Sequence, residues 1–244
     1  MTRSRFLGRL AIAAPLLIAA PPAWSVGALA ADLTADEVRS RIAAADGAPQ
    51  LADLDLAGLD LAGVDFRGAD LRGSILKQAN LEGADLSGAN LDLVILRDAN
   101  LKGAKLIGAS AFQTVFSGSD LSGANLAGAQ IIAKFERSNL KGANLAGANL
   151  AADMTNQSMG LMRAHLNKAN LEDANLAGAM LSRCVAEFAD FAGANLEDAD
   201  LSRCELAGAD FTGANLAGAD FTDADVQGAR FDDATGRDRA LGLD

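Results

Sequence analysis

The sequence predicts an all-β fold, a parallel β-solenoid whose coils have four sides. Three observations carry this. Large apolar residues recur at every fifth position from Leu56 to Phe231, in three frames that together hold 34 repeats. The position two residues earlier is small, most often Ala, and the position between is most often Asp or Asn. Finally, Leu181-Ser182-Arg183-Cys184 returns twenty residues later as Leu201-Ser202-Arg203-Cys204, in step with Phe191, Phe211 and Phe231.

A period of five suits neither regular element alone. A helix of 3.6 residues per turn would scatter the large residues around its surface. A flat strand would send successive large residues to opposite faces. The chain must therefore turn a corner in each repeat, and four corners close a coil of twenty residues. The large central residues then fill the interior, with small ones beside them where no bulk fits. Glycines such as Gly63, Gly68, Gly83 and Gly88 fall where the corners need unusual backbone angles.

The elements follow in chain order. Arg3, Arg5 and Arg9 precede an uncharged apolar run, Leu10 to Ala20, and then Pro21 and Pro22. Small residues follow and end in Ala28-Leu29-Ala30. This is the order of a cleavable secretory signal over residues 1–30, of the general export type, with cleavage near Ala30/Ala31 or, alternatively, after Ser25. The apolar run is too short to span a bilayer, so no stable membrane insertion is expected after cleavage. The arginines are split by Ser4 rather than paired, which disfavours the twin-arginine route.

Residues 31–50 read as an N-terminal capping helix and linker. Thr34 and Glu37 form a capping box, Val38, Ile42 and Ala43 follow at helical spacing, and Gly47 and Pro49 stop the helix. Such a helix would cover the open end of a solenoid. The repeat body covers 51–231. Its frame slips between Ile131 and Leu166, which predicts an irregular segment, a bulge or small loop, within 151–163. The tail, 232–244, breaks the repeat and either caps the far end or pairs with another chain.

Stretches such as Ala79-Asn80-Leu81-Glu82-Gly83-Ala84-Asp85-Leu86-Ser87-Gly88 closely resemble the A(D/N)LXX motif of the pentapeptide-repeat family. The resemblance implies that family's right-handed quadrilateral parallel β-helix. It also implies one candidate activity. Some members resemble duplex DNA in charge and width and protect DNA gyrase, so an acidic DNA mimic acting on a topoisomerase is one reading, with Asp190, Asp200, Asp210 and Asp220 among its acids. A cytoplasmic target does not fit an exported chain.

The formal charge is −11, and the first thirty residues contribute three arginines and no acid. A surface this acidic repels nucleic acid and anionic lipid and suits basic partners or simple solubility. No second histidine, Cys–His pair within one repeat or G-x-S-x-G sequence is present to suggest an enzyme. No cofactor is implied. The reading favoured is a periplasmic or secreted scaffold that binds a protein of the cell envelope through its outer faces, with a homodimer as an option.

Three groups of residues are candidate sites. At twenty-residue spacing the outward position reads Asp55, Ile75, Ile95 and Val115, with Leu93 nearby, a β-branched apolar stripe that could be an interaction patch. Cys184 and Cys204 occupy the small inward position one coil apart. Their Cα separation would permit a disulfide, although parallel side chains favour two buried thiols. Met154, Met159, Met162 and His165 cluster in the irregular segment and could bind a soft metal, or could simply fill irregular packing.

Overall fold

The computed structural model describes residues 31–155 and 162–243. The predicted export signal and Met159 lie outside them. Among the described residues no helix is long and apolar enough to cross a membrane.

The five-residue unit explains itself locally. The Leu81 carbonyl accepts the Ala84 N–H at 3.0 Å, closing a β-turn. Gly83 stands at its third position with φ 63°, and such a turn demands a positive φ there. Asp98 (φ 58°) fills the same slot in another coil, as a short polar side chain can.

Between corners the chain pairs with the coils before and after it. Leu81 N–H donates to the Asn100 carbonyl at 2.7 Å, and Asn100 N–H donates to the Ala79 carbonyl at 3.0 Å. These parallel bridges fall in four columns. The first face starts with Gln50 paired to Asp70, the second with Asp55 and Ile75, the third with Asp60 and Asn80, and the fourth with Asp65 and Asp85.

The preference for Asp and Asn at the bridging position has a physical cause. The side-chain oxygen accepts the N–H two residues on, which the corner would otherwise leave unpaired. Asp55 Oδ1 takes the Ala57 N–H at 3.0 Å and Asn125 Oδ1 takes the Ala127 N–H at 3.1 Å. At Asp65 the Arg67 side chain and N–H both donate to the carboxylate and hold its pKa down at about 2. Asn can also donate to the coil before it. On the fourth face Asn144 donates to Asn125, Asn175 to Asn144, Asn195 to Asn175 and Asn215 to Asn195, at 2.9–3.3 Å.

The interior is filled by the central residues. Phe116 stacks on Phe135 with centroids 4.8 Å apart, and Phe191, Phe211 and Phe231 form a continuous stack at 4.9 and 5.0 Å. Where the small inward residue is polar, it is satisfied. Ser74 Oγ donates to the Leu51 carbonyl and Thr114 Oγ1 to the Leu91 carbonyl, each at 2.6 Å. Among the described residues no buried side-chain nitrogen or oxygen lacks a partner.

Both ends are covered. Helix α1 (Ala35–Ala44) begins at the Thr34–Glu37 capping box and buries Val38 completely. Asp32 continues the second face, its N–H donating to the Asp55 carbonyl at 2.7 Å. At the other end Leu241 pairs with Asp220, and Ala240 and Leu243 pack against the core. A short 3-10 turn at Arg237–Arg239 places the Arg237 guanidinium 5.1 Å from the centre of the Phe231 ring. Gly236 passes so close to Ala217 that a Cβ there would lie 2.7 Å from its backbone.

The two irregularities share one corner, between the first and second faces. Strands β1 (Ser110–Val115) and β2 (Gln130–Lys134) run through this corner in parallel, with a register shift between Phe112 and Val115. The coil that starts at Gln130 reaches its partner Asn149 after 19 residues rather than 20. The next coil takes 31 residues, from Asn149 to Met180. Asp153 and Met162, within this longer coil, form an antiparallel bridge.

Candidate interaction face

The second face differs from the other three. Its bridging column runs Asp55, Ile75, Ile95, Val115, Lys134, His165, Val185, Glu205, Asp225, where the third and fourth faces carry mainly Asp and Asn. Ile75, Ile95 and Val115 are half-buried rather than fully exposed, because each ladder neighbour covers part of the next. Leu93, at the corner leading into this face, is 58% exposed. Phe112 and Ile132 continue the same corner in the next two coils and are half-buried.

The opposite corner of the same face is cationic. Lys77, Arg97, Arg137 and Lys168 stand there, with Lys134 on the face itself, and all five are exposed. Phe188 follows one coil beyond Lys168 and is 61% exposed. Leu93 (φ 63°) and Phe188 (φ 56°) both hold the positive-φ slot, where a bulky side chain is strained by roughly 1–2 kcal/mol.

A groove of about 330 Å³ lies at this corner, lined by Gln113, Ile132, Ala133, Lys134, Met162, Arg163 and His165. The Gln113 side-chain amide donates to Met162 Sδ. Arg163 pairs with Glu205 at 2.7 Å. Burial holds the His165 imidazole below its usual pKa despite Glu136 nearby, so it is neutral at pH 7. Of the Met and His residues raised as metal ligands, the structure thus brings Met162 and His165 to one groove. Among the described residues no group of three or more His, Cys, Asp or Glu could hold a metal ion.

Cys184 and Cys204 are both buried, with Sγ atoms 2.7 Å apart. The Cys204 thiol does what the Ser74 hydroxyl does. Ser74 Oγ accepts the Leu54 N–H and donates to Leu51, while Cys204 Sγ accepts the Cys184 N–H at 3.2 Å and donates to the Leu181 carbonyl at 3.0 Å. Burial pushes the Cys184 thiol well above its usual pKa, which makes it unreactive in the folded chain. Both sulfurs should be thiols, because the proton that Cys204 Sγ gives the Leu181 carbonyl is one a disulfide would lack. In denaturant without reductant, intact mass should show two maleimide adducts; none without reductant and two with it would establish a disulfide instead. Cys204→Ser should preserve the bond and cost no more than about 1 kcal/mol.

Sequence reasoning placed Ile75, Ile95, Val115 and Leu93 together. It missed Phe112, Ile132, Phe188 and the cations. Phe112 and Ile132, like Lys77 and Arg97, keep the twenty-residue register, whereas Arg137, Lys168 and Phe188 lie past the coils of 19 and 31 residues that interrupt it.

A filled four-sided solenoid with one divergent face defines a repeat protein that presents surfaces rather than a cleft. The model of the family of pentapeptide repeats matches residues 50–88, 74–110, 99–132, 133–152, 161–198 and 199–235, and the chain belongs to that family. Among solved structures it is similar to HetL, a pentapeptide repeat protein involved in heterocyst differentiation regulation in the cyanobacterium Nostoc. The identity is 27% over 87% of this chain and 98% of HetL, with a TM-score of 0.42. It is also similar to QnrB1, a plasmid-mediated fluoroquinolone resistance protein, at 21% identity over 68% of this chain and 88% of QnrB1, with a TM-score of 0.55. That second likeness is one of fold. No curated protein matches the chain.

Proposed function

We propose that this chain is a non-enzymatic protein-binding scaffold of the cell envelope, wound right-handed like its family, exported by residues 1–30 and acting through its second face. One observation carries the reading. Among the described residues only this face interrupts the Asp/Asn ladder with a run of three apolar residues in successive coils, and it is flanked by Leu93 and Phe188, exposed in a slot that penalises them. Strain of this kind persists where function needs the side chain. The cationic corner speaks against the alternative of a DNA mimic, which would want acid on every side.

The test is expression of the native-length chain in a diderm host with a photoreactive residue in place of Arg97, or of Lys102 as a control between the third and fourth faces. The expected result is a periplasmic species beginning at Ala31 that crosslinks a discrete protein from position 97 and not from 102. A full-length cytoplasmic species, or equal crosslinking from both positions, would overturn the reading.

A further inference from the structure

Charge on this solenoid is segregated. In the repeat body seven Lys or Arg side chains have no ion pair among the described residues, and five of them are Lys77, Arg97, Lys134, Arg137 and Lys168. All five stand on the second face or the corner that leaves it. In the coils from Lys77 to Lys168 the acids there are Asp98 and Glu136, the latter taking the Ser117 hydroxyl at 2.6 Å, while Asp55, Glu187, Glu205 and Asp225 lie in the coils on either side. The overall charge of −11 therefore predicts basic partners for the molecule as a whole but not for this stretch of the second face.

The same face is apolar along its other corner, through Leu93, Phe112 and Ile132. Main-chain pairing is not available to a ligand here. The N–H and C=O groups of Ile95 and Val115 already bond within the ladder, for example Val115 N–H to the Val94 carbonyl at 2.9 Å. Recognition must come from side chains, and these offer an apolar row beside a cationic row.

We propose that the second face seats an acidic, amphipathic segment of a partner protein lying along the solenoid axis. Its apolar side chains rest on Leu93, Phe112 and Ile132, and its carboxylates meet Arg97, Lys134 and Arg137. This rests on the reading of the face as the docking face and names its occupant. Coils stack at about 4.8 Å, so the four steps from Lys77 to Lys168 span roughly 19 Å, the length of about six extended residues. The cationic row is one corner wide. A broader polyanion would also meet Asp98 on the corner itself and Asp120 on the third face, which disfavours duplex nucleic acid or a lipid surface.

The experiment is fluorescence anisotropy with the purified full-length chain and a fluorescein-labelled (Glu-Leu)5 peptide, which alternates acid and apolar side chains when extended. Saturable binding is expected, weakening as salt rises. It should fall about tenfold or more in the double variant Lys134→Glu/Arg137→Glu and stay unchanged in Lys102→Glu. All three positions are exposed, and circular dichroism checks that the variants fold. Equal loss in both variants would overturn the proposal, as would equal affinity for (Lys-Leu)5 or tighter binding of a dT10 oligonucleotide. If the peptide fails to bind while crosslinking from position 97 persists, the docking face stands and the acidic occupant is wrong. Failure of both overturns both.

Discussion

Replacing Phe116 by Ala should lower the free energy of unfolding by about 3–5 kcal/mol, read as a fall in the guanidinium midpoint. The ring is fully buried and lies nearly parallel to that of Phe135, the central residue one coil on. Two losses add together. One is the transfer of the ring itself, and the other is the cavity left behind. That cavity cannot close easily, because the Phe116 N–H bonds the Lys134 carbonyl at 2.7 Å and its carbonyl accepts the Ser119 N–H at 2.9 Å. The backbone is held on both sides while the side chain is removed. Because each coil contacts only its neighbours, the loss also weakens the link between two halves of the stack. A separated two-step transition is the expected form of any loss of cooperativity. Phe116→Leu should recover most of the deficit, since leucine serves at most equivalent positions. A midpoint unchanged in Phe116→Ala would mean that the aromatic column carries no coupling.

Much of this architecture was legible because a solenoid repeats one solution. The five-residue spacing located the central residues, the Asp/Asn position located the corner caps, and the spacing of Phe191, Phe211 and Phe231 anticipated the stack that the structure contains. The Thr34–Glu37 box marked the start of α1. What escaped is whatever depends on register across the short and long coils. The missing residue near Ile132 and the surplus between Asp153 and Met162 fall at one corner, and sequence alone showed them only as two slips of frame. The cationic row escaped for the same reason. Lys77 and Arg97 are twenty residues apart, but Arg137 and Lys168 are reached through coils of unequal length, so no fixed period links the four. The Met154, Met159, Met162 and His165 cluster looked like one site in sequence. In the structure His165 belongs to the second-face ladder and Met162 to the bridge with Asp153, and of the four only these two line the groove.

Leu93→Asp and Phe188→Asp should each do two opposite things, raise stability and remove partner binding. Both residues hold a positive φ that costs a bulky side chain roughly 1–2 kcal/mol. Asp occupies the equivalent slot at Asp53, Asp98, Asp173, Asp198, Asp223 and Asp233. Several of these lie over a glycine of the following coil, as Asp173 lies over Gly193. Phe188 lies over Gly208 in the same way, its ring reaching within 2.6 Å of where a Cβ would stand, so Asp there restores a pattern the fold already uses. Each variant should therefore gain up to about 1 kcal/mol, seen as a higher melting temperature. Binding should move the other way. If these are the anchors of the docking face, replacing one by a carboxylate costs about 2 kcal/mol or more, and the carboxylate also repels an acidic partner. Crosslinking from position 97 should then fall at least roughly tenfold. A core or folding role would instead lower stability and binding together. A gain in stability with binding intact would mean that the exposed rings are tolerated rather than used. Opposed movement of the two quantities is what a functional surface held under strain requires.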